Sequence, residues 1–154
     1  MPVIVVGADT PLGDAVVDAL GARDGEIRVF VSDVDRGLAL KDAGLKVAIG
    51  DVSDPSHVGG AALRCFSAVL LPEAAHDDRE RSFAATPDAV LTGWAEALRD
   101  AGVRRAIVVD DPRIDDLGSM FADAAPEVAV VPLGDAARVA AEVARLDDLA
   151  SLDG

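Results

Sequence analysis

Gly7, Ala8, Asp9, Thr10, Pro11, Leu12 and Gly13 follow the apolar run Val3 to Val6 without a break. A strand that runs into a glycine turn presents backbone N–H groups to an anion, because no side chain stands between them and an approaching oxygen. Thr10 reads as the N-cap of the next helix and Pro11 as its first residue, so the unpaired amides of that helix would face whatever lies above Gly7. Thr10 sits midway between the glycines. Its branched side chain narrows the approach to the backbone, while its hydroxyl offers a donor to a phosphate oxygen. A tight strand-to-helix turn that binds nothing is the competing reading of the same residues.

Other groups able to do chemistry are sparse. Tyr is absent, and the lysines are Lys41 and Lys46. His57 and His76 have no Cys or His at ligand spacing, and Ser119 lies in no G-x-S-x-G elbow. Asp110, Asp111, Asp115 and Asp116 read as a solvated acidic loop rather than a metal site. Cys65 is alone, which excludes a disulfide framework within the chain and suggests a buried structural thiol. No catalytic group and no metal ligand is assigned from the sequence.

The elements that must position the glycine turn follow from apolar periodicity and turn residues. Val3 to Val6 is apolar throughout, as expected of a central parallel strand covered on both faces. A first helix carries Leu12, Val16, Val17 and Leu20 and ends within Gly21 to Gly25. Strand Ile27 to Val31, helix Arg36 to Ala43 stopped by Gly44, and strand Leu45 to Ile49 come next. Asp54 and Pro55 cap a helix running toward Arg64, and Ser67 to Leu71 is a fourth strand. Glu73 to Arg81 reads as a charged, solvated connection. Thr86 and Pro87 start the longest helix, with Val90, Leu91, Trp94, Ala97 and Leu98 on one side and Gly102 at its end. Strands Arg105 to Val109 and Glu127 to Val131 and helix Asp135 to Leu149 complete the chain.

Strands alternating with helices predict an α/β doubly wound, mostly parallel sheet of six strands in the order 3-2-1-4-5-6. In such a sheet Gly7, Asp33, Asp51, Leu71 and Asp110 converge at the carboxyl edge where ligands collect. The length of 154 residues suits one domain spanning 1–154. The 28 acidic residues outnumber the 14 basic ones, giving a net charge of −14 that disfavours nucleic acid as a partner. No stretch is long and apolar enough to span a membrane, and no basic leader precedes the first strand, so the expected location is cytoplasmic.

With these elements placed, the sequence resembles the NmrA-like, atypical (extended-type) branch of the short-chain dehydrogenase superfamily. The resemblance rests on the glycine turn, on Glu26 to Asp33, on Leu40 to Asp51 and on Ala101 to Val109, and covers about the first two-thirds of the chain. It implies a bound dinucleotide. The pyrophosphate would lie on the turn from Gly7 to Gly13, the adenosine ribose at Ser32 and Asp33, and the adenine beside Asp51 and Val52, with Leu71 among the cofactor-binding residues at the same edge. Asp33 lies about twenty residues beyond the last glycine, where a carboxylate accepts from a ribose hydroxyl and repels a 2′-phosphate, favouring NAD over NADP. Asp33 and Asp51 also suit ordinary helix and loop capping. The Tyr, Lys and Ser that relatives use for hydride transfer have no counterparts here, and the C-terminal substrate region is short. This favours a non-catalytic sensor or a subunit of an assembly. The alternatives are an oxidoreductase or epimerase-like enzyme completed by a partner, and a dimerisation scaffold that binds no nucleotide. The resemblance further suggests a homodimer through the helix from Asp88 to Asp100 and the C-terminal helix, with Leu91, Trp94 and Leu98 supplying apolar groups; the competing reading packs Trp94 inward on the sheet.

Overall fold

Strands that are apolar at every position must be covered on both faces, and the sheet meets that condition through two cores. A computed structural model describes residues 1–23, 25–76 and 82–152. Strands β1 (Val3–Val6), β2 (Ile27–Val31), β3 (Lys46–Ile49), β4 (Ser67–Leu70), β5 (Arg105–Val109) and β6 (Glu127–Val131) form one sheet in the order β3-β2-β1-β4-β5-β6. Every pairing is parallel, with Val3 opposite Ile27 on one side and Ser67 on the other. Ile4, Val6, Phe30, Leu70 and Val108 point to the face covered by α3 (Pro55–Ala62), α4 (Pro87–Ala101) and α5 (Leu117–Phe121). Val3, Val5, Val29, Val69 and Ile107 point to the face covered by α1 (Gly13–Leu20), α2 (Val34–Asp42) and α6 (Ala136–Asp148). Among the described residues no helix is long and apolar enough to cross a membrane.

The expected strands and order are present, and the helix ends follow their caps. Asp54 accepts from the amides of Ser56 and His57, Thr86 from Ala89, and Asp135 from Arg138. Asp33 caps α2, which therefore begins at Val34, earlier than the apolar pattern indicated. The connection after β4 is not wholly solvated. Pro72–Ala75 forms a 3₁₀ turn with Pro72, Ala74 and Ala75 buried, while residues 77–81 of that connection lie outside the described residues. Asp24, within the expected end of α1, also lies outside them. The short helix α5 was not anticipated; Asp116 starts it from a left-handed φ of 55° and caps Ser119.

Arg105 was expected only as the first residue of a strand, but it is fully buried at the sheet's amino edge. Its Nε donates to Glu127 at 3.1 Å, and its Nη1 donates to the carbonyls of Leu146, Asp147 and Leu149 at 2.7, 3.1 and 2.7 Å. The guanidinium also lies 4.9 Å from the centre of the Phe66 ring. One buried cation thus satisfies the last carbonyls of α6 and joins α6 to β5 and β6. Glu127 accepts the Leu152 amide at 3.0 Å. That bond, together with Arg105 and against the effect of burial, holds the Glu127 carboxyl below the usual range.

Removing one partner of a buried charge pair leaves the other uncompensated, so Arg105→Ala should cost about 3–5 kcal/mol in urea unfolding. The unfolded chain binds the Glu127 proton more readily than the folded one. The Glu127 contribution is therefore fully present above the ordinary carboxyl pKa and is lost as pH falls through the lower folded value. Stability should fall more steeply on acidification in the parent than in Glu127→Gln.

Candidate functional site

The turn after β1 is closed by what two glycines lack. Gly7 has φ +89°, and a Cβ there would lie 2.9 Å from the Leu71 carbonyl oxygen and 3.0 Å from the Ala74 Cβ. Gly13 needs no special φ, but its Cβ would lie 1.9 Å from the Ala8 carbonyl oxygen. The first glycine admits the loop after β4, and the second lets α1 sit directly on the turn. Thr10 is not the N-cap and Pro11 is not helical: α1 begins at Gly13 after Leu12, with no side-chain cap. Thr10 bonds backward instead. Its hydroxyl donates to the Gly7 carbonyl at 2.7 Å and its amide to the same oxygen at 3.1 Å, while the Gly13 amide donates to the Thr10 carbonyl at 2.9 Å. A hydroxyl three residues from a carbonyl in a tight turn finds that acceptor first. The branched side chain is accordingly buried against the turn.

Beyond the turn, Asp9 joins it to the end of β2. One Asp9 carboxylate oxygen accepts from the amides of Ser32 and Asp33, both at 3.0 Å. Asp33 uses a carboxylate oxygen to accept from Asp35 and Arg36 at 3.0 and 3.4 Å, which is its capping role. The Arg36 guanidinium pairs with Asp14 in the first turn of α1. Asp51, past the end of β3, accepts from the Ser53 amide and hydroxyl at 2.8 and 2.6 Å and from the Ser82 amide at 2.6 Å. Burial opposes its ionisation, yet these bonds outweigh it and hold the Asp51 carboxyl below the usual range. Ser53 in turn accepts from the Phe83 amide at 3.1 Å.

Val52 is buried, and its carbonyl accepts the Trp94 indole N–H at 2.7 Å. Trp94 therefore positions the Asp51–Val52 loop. Leu91, Trp94 and Leu98 are all buried in the core, which removes them from a dimer contact and agrees with the competing inward packing of Trp94; the exposed side of α4 carries Asp88, Thr92, Glu96, Arg99 and Asp100.

On the other side of the turn lies a cavity of about 180 Å³. Its walls come from Thr10 to Leu12, from Leu71 to Glu73, from Val109 to Asp111 with Arg113, and from Leu133. The acidic run after β5 is not all surface. Asp111 is buried and accepts from the Arg113 Nε and Nη2 at 3.0 Å each, from the Arg113 amide at 2.9 Å, and lies 2.8 Å from the His76 Nε2. Burial would raise its pKa, but Arg113, with a smaller effect of His76, holds the carboxyl low. Arg113 also pairs with Glu73, so the loops after β4 and β5 are joined at the cavity rim. An Asp two residues before an Arg is the sequence signal that could have revealed this pair.

The residues singled out in the sequence thus occupy one edge. Gly7 to Gly13, Ser32 and Asp33 are joined through Asp9, Leu71 packs over Gly7, and Asp51 and Val52 stand past the end of the neighbouring β3. A family model described as NAD(P)H-binding matches residues 7–150. No curated protein matches the sequence. Among solved structures, the chain is similar to a triphenylmethane reductase from Citrobacter sp. complexed with NADP(H), at 19% identity and TM-score 0.60 over 94% of this chain and 46% of that one. It is also similar to an NADPH-dependent quinone oxidoreductase from Escherichia coli, at 16% identity and TM-score 0.71 over 97% of this chain and 64% of that one. A third is an anaerobillin reductase from Escherichia coli O157:H7, at 16% identity and TM-score 0.68 over 99% of this chain and 93% of that one. The chain spans less than two thirds of the first two proteins, and at these identities the likeness is one of fold. The match across nearly the whole chain, on a six-stranded parallel sheet of the expected order, makes this protein a member of the NAD(P)H-binding family, in accord with its NmrA-like short-chain dehydrogenase resemblance.

Proposed function

We propose that residues 1–154 act as one domain that holds a nicotinamide dinucleotide across the carboxyl edge of the sheet. The observation that carries this reading is the turn itself, closed by Gly7 and Gly13 and lying within the matched family segment. The residues fit the group. Thr10 turns its hydroxyl inward, so its branched side chain does not fill the mouth of the turn. Gly7, Ala8, Asp9, Thr10, Pro11, Leu12 and Gly13 would follow the pyrophosphate, Ser32 and Asp33 the adenosine ribose, and Asp51 and Val52 the adenine. Leu71 would lie toward the nicotinamide, beside the cavity. The cofactor favoured is NAD, because carboxylates from Asp9 and Asp33 surround the end of β2; the NADP(H) and NADPH named for two of the structural neighbours belong to those proteins.

A nicotinamide dinucleotide supplies a hydride donor or acceptor. The chain's own residues bind and orient it, and no Tyr is available to hold a proton for a carbonyl substrate. A cofactor sensor or a subunit of an assembly is the role that suits this set. A homodimer through α4 would use that helix's polar face. A second reading is favoured by the cavity beside Leu71, which would lie on the nicotinamide side of a dinucleotide so bound. The three structural neighbours are named as a triphenylmethane reductase, a quinone oxidoreductase and an anaerobillin reductase. Extended conjugated acceptors of that kind spread the charge that hydride transfer brings, so a reductase acting on them needs no buried acid of its own.

Calorimetric titration should give one NADH site per chain, and heat indistinguishable from dilution with both NADH and NADPH would refute the assignment. Thr10→Ser should bind as the parent does. Thr10→Val removes the bond to Gly7 and should lose about 1 kcal/mol of stability, with a several-fold weaker affinity. The sensor reading expects NADH oxidation by an added benzoquinone, monitored by absorbance, to proceed no faster than without protein; sustained turnover above that background would favour the reductase.

A further inference from the structure

The end of β2 carries an acid that its own sequence segment does not supply. We infer that Asp9, more than Asp33, selects against a 2′-phosphorylated dinucleotide, an inference that rests on the dinucleotide reading above.

In a doubly wound sheet the adenosine ribose is read where the second strand ends. The backbone donors at that place are the amides of Ser32 and Asp33, and one Asp9 oxygen accepts both at 3.0 Å. A 2′-phosphate approaching these amides meets a fixed carboxylate already bonded to them. It must displace that group or stand beside a like charge in a partly desolvated cleft. A 2′-hydroxyl is a neutral donor and meets an acceptor instead.

Two neighbours could alter this balance, and both are engaged elsewhere. Asp33 directs a carboxylate oxygen to the amides of Asp35 and Arg36 at the start of α2. Arg36, the first cation in sequence after the end of β2, is paired with Asp14 on α1. The fixed charge facing the ribose is thus the one that the glycine turn contributes.

The test is a pair of neutral substitutions measured by calorimetry with NADH and NADPH, with circular dichroism to verify the fold. In Asp9→Asn the amide oxygen can accept from Ser32 and Asp33 as the carboxylate does, so the turn stays joined to β2 while the charge is removed. Asp33→Asn preserves the cap, because asparagine caps as well as aspartate. The parent should prefer NADH by about tenfold or more. Asp9→Asn should reduce that preference at least about fivefold, chiefly by tightening NADPH, and Asp33→Asn should leave it within about twofold. Asp9→Thr, also neutral, serves as the second variant if the first does not fold. A ratio unchanged by loss of the Asp9 charge, an equal effect from Asp33→Asn, or a parent that binds NADPH as well as NADH would overturn the inference. Binding of neither dinucleotide to the folded parent would overturn the dinucleotide reading itself, a result distinct from a misassigned selector.

Discussion

The carboxyl edge depends on one close approach, the seating of the first helix on the turn that precedes it. A single methyl group at Gly13 would collide with the Ala8 carbonyl, and one at Gly7 would collide with the carbonyl of Leu71. With both absent, β1, α1 and the loop after β4 meet without a gap. Thr10 then closes the turn on itself through the Gly7 carbonyl. Asp9, directed out of that turn, reaches the end of β2, and Leu71, packed over it, forms one wall of the adjacent cavity. The parts of the candidate site are therefore fixed relative to one another by backbone contact rather than by long side chains.

Charge is arranged differently at the two edges of the sheet. At the amino edge Arg105 and Glu127 are buried together and gather the last carbonyls of α6, so that edge contributes stability. At the carboxyl edge Asp9, Asp33 and Asp51 are bonded to backbone amides, and Asp111 is held by Arg113. These carboxylates order loops while keeping the mouth of the site acidic. A net charge of −14 is thus not only a solvated surface; part of it holds the site's loops in place.

The sheet order was legible because apolar strands alternate with helices whose starts are marked by Asp54 with Pro55 and by Thr86 with Pro87, local signals that do not depend on distant contacts. The face each strand residue covers was not legible, since Val3 to Val6 are apolar at every position and show no alternation. Trp94 was ambiguous for a similar reason: an apolar side on a helix identifies a buried stripe but not what covers it. Its indole N–H meets a carbonyl more than forty positions earlier, at Val52. The burial of Arg105 and Asp111 was hidden because charged residues are usually exposed, and only tertiary structure shows that a partner accompanies each inward. The direction of the Thr10 bond was equally hidden, since an N-cap and a backward turn bond use the same residue type.

The central claim is that the glycine turn and the end of β2 form one ligand-binding surface, and backbone amide NMR tests it most directly. Upon addition of NADH, the account predicts shifts in the amides of Gly7 to Thr10 and Leu12 to Ala15, of Ser32 and Asp33, and of Val52 and Ser53, with those of Leu146 to Leu149 at the opposite edge unmoved. Saturating NADH that leaves the turn amides unchanged, or perturbs only the opposite edge, would contradict it.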